Sequence, residues 1–103
     1  MAIEILVRGR NVQVTPAVAA MARTKAGKLQ RFAHDIHHIE IEFSELRNPR
    51  VTASQQCDVT IHLKRGSLKA HATAPEVVAA LDAVIDKAQH QLHRLHDKRV
   101  DHT

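Results

Sequence analysis

Apolar and polar residues follow one another in blocks along this chain, and each block carries the period of one structural element. Ile3, Ile5 and Val7 alternate with Glu4, Leu6 and Arg8, the period-two pattern of a short strand that ends at Gly9. Thr15-Pro16 predicts a helix start, with Thr as the N-cap and Pro at the first helical position, where its missing N–H is not needed. That helix runs to about Phe32 and places Val18, Ala22, Ala26, Leu29 and Phe32 on one side. Gly27 weakens its interior by roughly 1 kcal/mol relative to Ala. Ile39, Ile41 and Phe43 alternate with Glu40, Glu42 and Ser44 as a second strand, and a polar loop follows from Arg47 through Gln56. Cys57, Val59, Ile61 and Leu63 mark a third strand. Lys64-Arg65-Gly66-Ser67 is a tight turn into a fourth strand, Leu68 to Thr73, so these two form a hairpin. Pro75 opens a final helix to Arg99, with Val77, Val78, Leu81, Val84, Ile85, Ala88, Leu92 and Leu95 on its buried face.

The order is β-α-β-β-β-α, which predicts an α+β fold in a single domain spanning residues 1–103. Strands with one apolar face each need a cover, and two amphipathic helices supply it from one side of a four-stranded mixed sheet. The connection through the first helix makes strands one and two parallel by a right-handed crossover. Glu4, Glu40, Glu42 and Asp58 then stand on the open sheet face, and the cations of the helices on the other.

The last helix adds a feature that burial alone does not require. Lys87, Gln91, Arg94 and Lys98 follow at steps of four, three and four, stacking in a narrow line beside the buried face, while Asp82, Asp86 and Asp97 fall outside it. A file of cations suits a row of phosphates. Composition points the same way. There are 15 Lys and Arg against 11 Asp and Glu, with 9 histidines as well. Trp and Tyr are absent and only Phe32 and Phe43 are aromatic, which argues against base stacking on aromatic platforms. A nucleic-acid partner would be gripped by its backbone and shape.

Three stretches resemble the ribosome hibernation-promoting factor family, also called protein Y or ribosome-associated inhibitor A. They are Gly9-Arg10-Asn11-Val12-Gln13-Val14-Thr15-Pro16, Lys25-Ala26-Gly27-Lys28-Leu29-Gln30-Arg31-Phe32, and Ala79 to Lys87 continuing to Gln91-Leu92 and Asp97-Lys98. The resemblance implies a stress or stationary-phase factor that binds the 30S subunit, free or in the 70S ribosome. It would occupy the messenger channel and the A- and P-site transfer RNA positions, and so inhibit translation reversibly. It further implies that Lys25, Lys28 and Arg31, together with Lys87, Gln91, Arg94 and Lys98, contact 16S rRNA, with Arg8 and Arg10 as weaker candidates. Family members often carry Tyr where Met21 and Val78 stand here and Leu at Ala88, so a lighter core is expected; Lys is common where His96 stands, so part of the electrostatic grip is expected to depend on pH. A monomeric protein of the bacterial or plastid cytoplasm fits this picture. An alternative is a regulatory protein-interaction module, such as a transcription modulator, whose basic face meets an acidic protein.

Other chemistries find little in the chain. No apolar run has the length of a membrane span, and the start shows no signal-peptide organisation. A lone cysteine excludes an internal disulfide, and Cys57 sits on the apolar side of its strand as a small hydrophobe. His34, His37 and His38, and the set His90, His93 and His96, raise the question of a metal. No Cys or carboxylate is seen to complete either set, so neither metal nor cofactor is expected. Nucleophile elbows and Gly-rich phosphate loops are missing, which predicts that the protein is not an enzyme.

Overall fold

The computed structural model describes residues 3–47 and 54–101, and side chains only as far as Leu95. Its elements are β1 (Glu4–Gly9), α1 (Pro16–Gly27), β2 (Ile36–Glu45), β3 (Gln55–Leu63), β4 (Gly66–Ala74) and α2 (Val77–Asp101). The sheet order is β1-β2-β3-β4, with β1 parallel to β2 and the other pairs antiparallel. This is the expected α+β architecture.

Local chemistry explains the boundaries. Thr15 Oγ1 accepts from the Val18 N–H at 3.2 Å and Pro16 opens α1, as the sequence predicts. The helix does not continue as α to Phe32. Past Gly27 it tightens into one 3-10 turn, Lys28–Arg31. The start of α2 also departs from expectation, at Val77 rather than Pro75. The first intrahelical bond runs from the Ala80 N–H to the Glu76 carbonyl at 3.0 Å, so Glu76 takes the cap position. In the hairpin Leu63 pairs with Gly66, which adopts φ +97, while Lys64 and Arg65 stay at negative φ. That is a type I turn closed by a left-handed glycine.

The strands reach further than predicted. β2 starts at Ile36 and ends at Glu45, and β3 starts at Gln55, shortening the expected loop; residues 48–53 of that loop lie outside the described residues. Gly9 ends β1 because the chain folds back over it: a Cβ there would sit 2.1 Å from the Val12 carbonyl oxygen. Asn11 then copies a strand residue, accepting from the Glu45 N–H at 2.8 Å and donating to the Glu45 carbonyl at 2.9 Å.

Both helices lie on one face of the sheet and share one core with it. Ala22, Ala26 and Leu29 of the first helical segment meet Ile39, Ile41, Phe43, Val59 and Ile61 of the strands and Leu81, Val84, Ala88 and Leu92 of α2. Ala70, Ala72 and Ala74 make β4 a thin strand on which α2 can lie close. One expected core position fails: Val78 is 38% exposed, and Ala80 is buried beneath that turn. Among the described residues no polar or charged side chain is buried, and no helix is long and apolar enough to cross a membrane.

Candidate nucleic-acid interface

The cations of the first helical segment and the basic file of α2 do not merge into one stripe. Lys25 Nζ lies 2.6 Å from Asp82 Oδ1, so Lys25 of α1 meets α2 on its acidic flank. Lys87 and Gln91 lie on the opposite flank, over the free edge of β4. Lys87 Nζ donates to the His71 carbonyl at 2.9 Å, and Gln91 Nε2 donates to the Lys69 carbonyl at 3.1 Å. These two side chains cap carbonyls that an edge strand otherwise leaves open. Their cationic and amide groups therefore stand at the rim of the molecule, and Arg94 follows them, exposed, one turn further along. Together with His90 they border a shallow groove of about 560 Å³. The Lys98 side chain falls outside the described residues.

Lys28 and Arg31 are exposed at the end of the first helical segment. Arg31 borders a second cleft, of about 540 Å³, where the 3-10 turn, the β3–β4 hairpin and the second half of α2 converge; Lys64, His34, Asp35 and His93 border it too. Sequence reasoning missed Lys64 as a partner of Arg31. The backbone bond from the Lys64 N–H to the Asp35 carbonyl, at 2.9 Å, brings the hairpin to the end of that turn. Nothing in the local pattern of either segment signals that contact. Cations thus gather at two places on the helical side, along the α2 rim and around this cleft.

Arg8 is placed elsewhere. It lies on the open sheet face, with Nε 2.9 Å from Glu42 Oε2; the helical cation beside it is Arg23 of α1, with which it borders a small pocket, and not one of the predicted site residues. Arg10 is exposed just past β1, its N–H bonded to the Phe43 carbonyl at 2.8 Å. The open face carries Glu4, Glu40, Glu42 and Asp58 as expected, but it also carries Arg8, Lys69 and histidines. Register sets Glu4 beside His38 and His38 beside His62, Arg8 beside Glu42, and Asp58 beside His71.

One grouping on this face corrects the sequence reading that no carboxylate joins the histidines. His38, Glu40 and His62 bring one ligand atom each to within 4.8 Å of one another. His62 Nε2 is 2.8 Å from Glu40 Oε2, and the His38 and His62 rings stack at 4.1 Å. The bond from His62, aided by the charges of His62, His38 and Arg8, holds the Glu40 carboxyl below its ordinary value of 4.5, against a smaller opposing effect of burial. Cys57 is buried on the other side of the sheet, and desolvation, with Asp58 nearby, pushes its thiol up to about 12. Such a thiol stays protonated and makes no nucleophile at neutral pH.

Comparison with known proteins follows the same lines as the fold. The model of a family described as Sigma 54 modulation protein / S30EA ribosomal protein matches residues 5–100. A ribosome hibernation promoting factor of Klebsiella oxytoca is 32% identical over 99 residues, covering 96% of this chain and 99% of its own length. The solved structure of a ribosomal subunit interface protein from Coxiella burnetii aligns with a TM-score of 0.80 at 20% identity, covering 92% of this chain and 99% of that one. The N-terminal domain of Protein Y from Thermus thermophilus aligns with a TM-score of 0.74 at 20% identity and the same coverage, so these structures share the fold. With the family's model running through every element from β1 to α2, the chain belongs to the Sigma 54 modulation protein / S30EA ribosomal protein family.

Proposed function

We propose that this protein is a ribosome hibernation factor: it binds the 30S subunit, within the 70S ribosome or free, and reversibly stops translation under stress or in stationary phase. The observation that carries the reading is the match to a ribosome hibernation promoting factor along 96% of this chain. In this proposal Lys87, Gln91, Arg94 and Lys98 follow one run of 16S rRNA phosphates along the α2 rim. Lys28 and Arg31, joined by Lys64, hold a second run at the cleft. Lys25 contributes less, because Asp82 already balances its charge. Arg8 and Arg10 are peripheral, Arg8 being committed to Glu42 across the sheet.

The protein then inhibits as a plug in the messenger channel and the A and P sites. It needs no chemistry, acts as a monomer in the cytoplasm, and uses the whole 1–103 stretch as one ribosome-binding domain. The test is co-sedimentation with purified small subunits, followed by inhibition of in vitro translation, a high-salt strip and a second activity measurement. Stoichiometric inhibition with full recovery supports the plug. Failure to sediment with 30S subunits, or persistent inactivation with cleaved rRNA, refutes it.

The first half of the family's description favours a second reading, a transcription modulator that meets an acidic protein surface. Only the ribosomal reading requires co-sedimentation with the subunit.

A further inference from the structure

The open sheet face holds side chains that rRNA binding by the helices leaves unused, and their arrangement is set by strand pairing. His38 and Glu40 are two residues apart on β2, so both project from the same face. His62 on β3 lies directly opposite His38, the closest cross-strand relation a sheet offers. A register shift between Ile36 and His38 puts one extra residue, His37, into β2. The bulge brings the His37 ring against His38, with Nδ1 to Nδ1 at 2.8 Å and ring centroids 5.1 Å apart. A metal-binding histidine is oriented by a hydrogen bond at its other ring nitrogen, usually to a carboxylate, carbonyl or water, and here the His37 ring takes that place.

We infer that His38, Glu40 and His62 form a binding site for a borderline divalent cation of the zinc class on the open face of the sheet. Two imidazoles and one carboxylate suit zinc and its transition-metal neighbours, whereas calcium and magnesium take oxygen ligands. The three ligand atoms lie within 4.8 Å of one another. Tetrahedral coordination at roughly 2.0–2.1 Å would set such atoms about 3.3 Å apart. The His62–Glu40 pair, now at 2.8 Å, therefore has to open by about half an ångström, a side-chain adjustment. The His62 and Glu40 side chains are each 35% exposed, so an ion reaches them from solvent and a water takes the fourth position. Arg8, whose charge acts on Glu40, is balanced by Glu42, and Glu4 flanks His38 on β1. The ion would pin β2 to β3 beside the bulge. The site stands on this face alone and does not depend on the ribosomal reading.

The experiment uses the tag-free full chain, titrated with Zn²⁺ by calorimetry and with Co²⁺ as an optical probe. One equivalent should bind, with a cobalt spectrum of tetrahedral intensity and a Tm that rises with Zn²⁺ concentration. His62→Ala and Glu40→Gln should each weaken Zn²⁺ binding by at least about tenfold. Both positions lie on the open face, and circular dichroism checks that the variants fold. The paired change His90→Ala with His93→Ala on α2 should leave binding unchanged. No stoichiometric Zn²⁺ binding by the wild type overturns the assignment. So does binding that survives in folded His62→Ala, or that disappears with the α2 pair.

Discussion

Arg94 and Lys87 belong to one basic file, yet the structure gives them different tasks, and a paired experiment separates these. Arg94 is exposed on α2, whereas Lys87 donates at 2.9 Å to the His71 carbonyl on the β4 edge. Each cation that neutralises a phosphate contributes about 0.7 to 0.9 to the slope of log affinity against log salt. Between about 50 and 200 mM salt, losing one contact therefore changes the salt-induced loss of affinity by roughly threefold. Removing Lys87, Arg94 and Lys98 together changes it by roughly 20- to 40-fold on the same scale. Arg94→Ala should flatten the slope by about one unit and leave the Tm alone. Lys87→Ala should flatten it equally and also cost about 0.5–1.5 kcal/mol for the lost bond to the β4 edge, a Tm several degrees lower. The assay is 30S co-sedimentation across a salt series, with thermal unfolding of the same preparations. A folded Arg94→Ala protein with the wild-type slope would show that this rim does not face phosphate.

Two glycines should answer oppositely to alanine. Gly27 has helical φ −58 and nothing within 4 Å of an added Cβ, so Gly27→Ala should gain about 0.5–1 kcal/mol and raise the Tm. At Gly9 the Cβ would meet the Val12 carbonyl oxygen at 2.1 Å, so Gly9→Ala should lose about 1–3 kcal/mol in denaturant titration. Cys57, buried with its thiol raised to about 12, should resist alkylation in the native protein at pH 8 (about half a unit below a free thiol's value) and react on unfolding. Glu40, held below 4.5 chiefly by His62, adds stability that is present above that pH and lost as pH falls through its folded value. Glu40→Gln should therefore flatten the acid limb of the stability curve, and an unchanged limb would contradict the pairing.

The period of two in Ile39, Ile41 and Phe43 and the three-and-four spacing of Leu81, Val84, Ala88 and Leu92 are local properties, so the sequence alone determines the elements, their faces and the core they share. The file of Lys87, Gln91, Arg94 and Lys98 is legible for the same reason, since one helix defines it. Helix ends were less legible, because the turn after Gly27 and the cap at Glu76 depend on what the chain meets next. Only the tertiary structure decided which flank met what: Asp82 on Lys25, Lys87 on the β4 edge, Lys64 beside Arg31 at one cleft. The same holds for His38, Glu40 and His62. Their meeting needs the β2–β3 register, and a slip of one residue would send His62 to the core side. That register is set by burial of Ile39, Ile41, Val59 and Ile61 beneath the two helices, a condition satisfied only when residues far apart in sequence pack together.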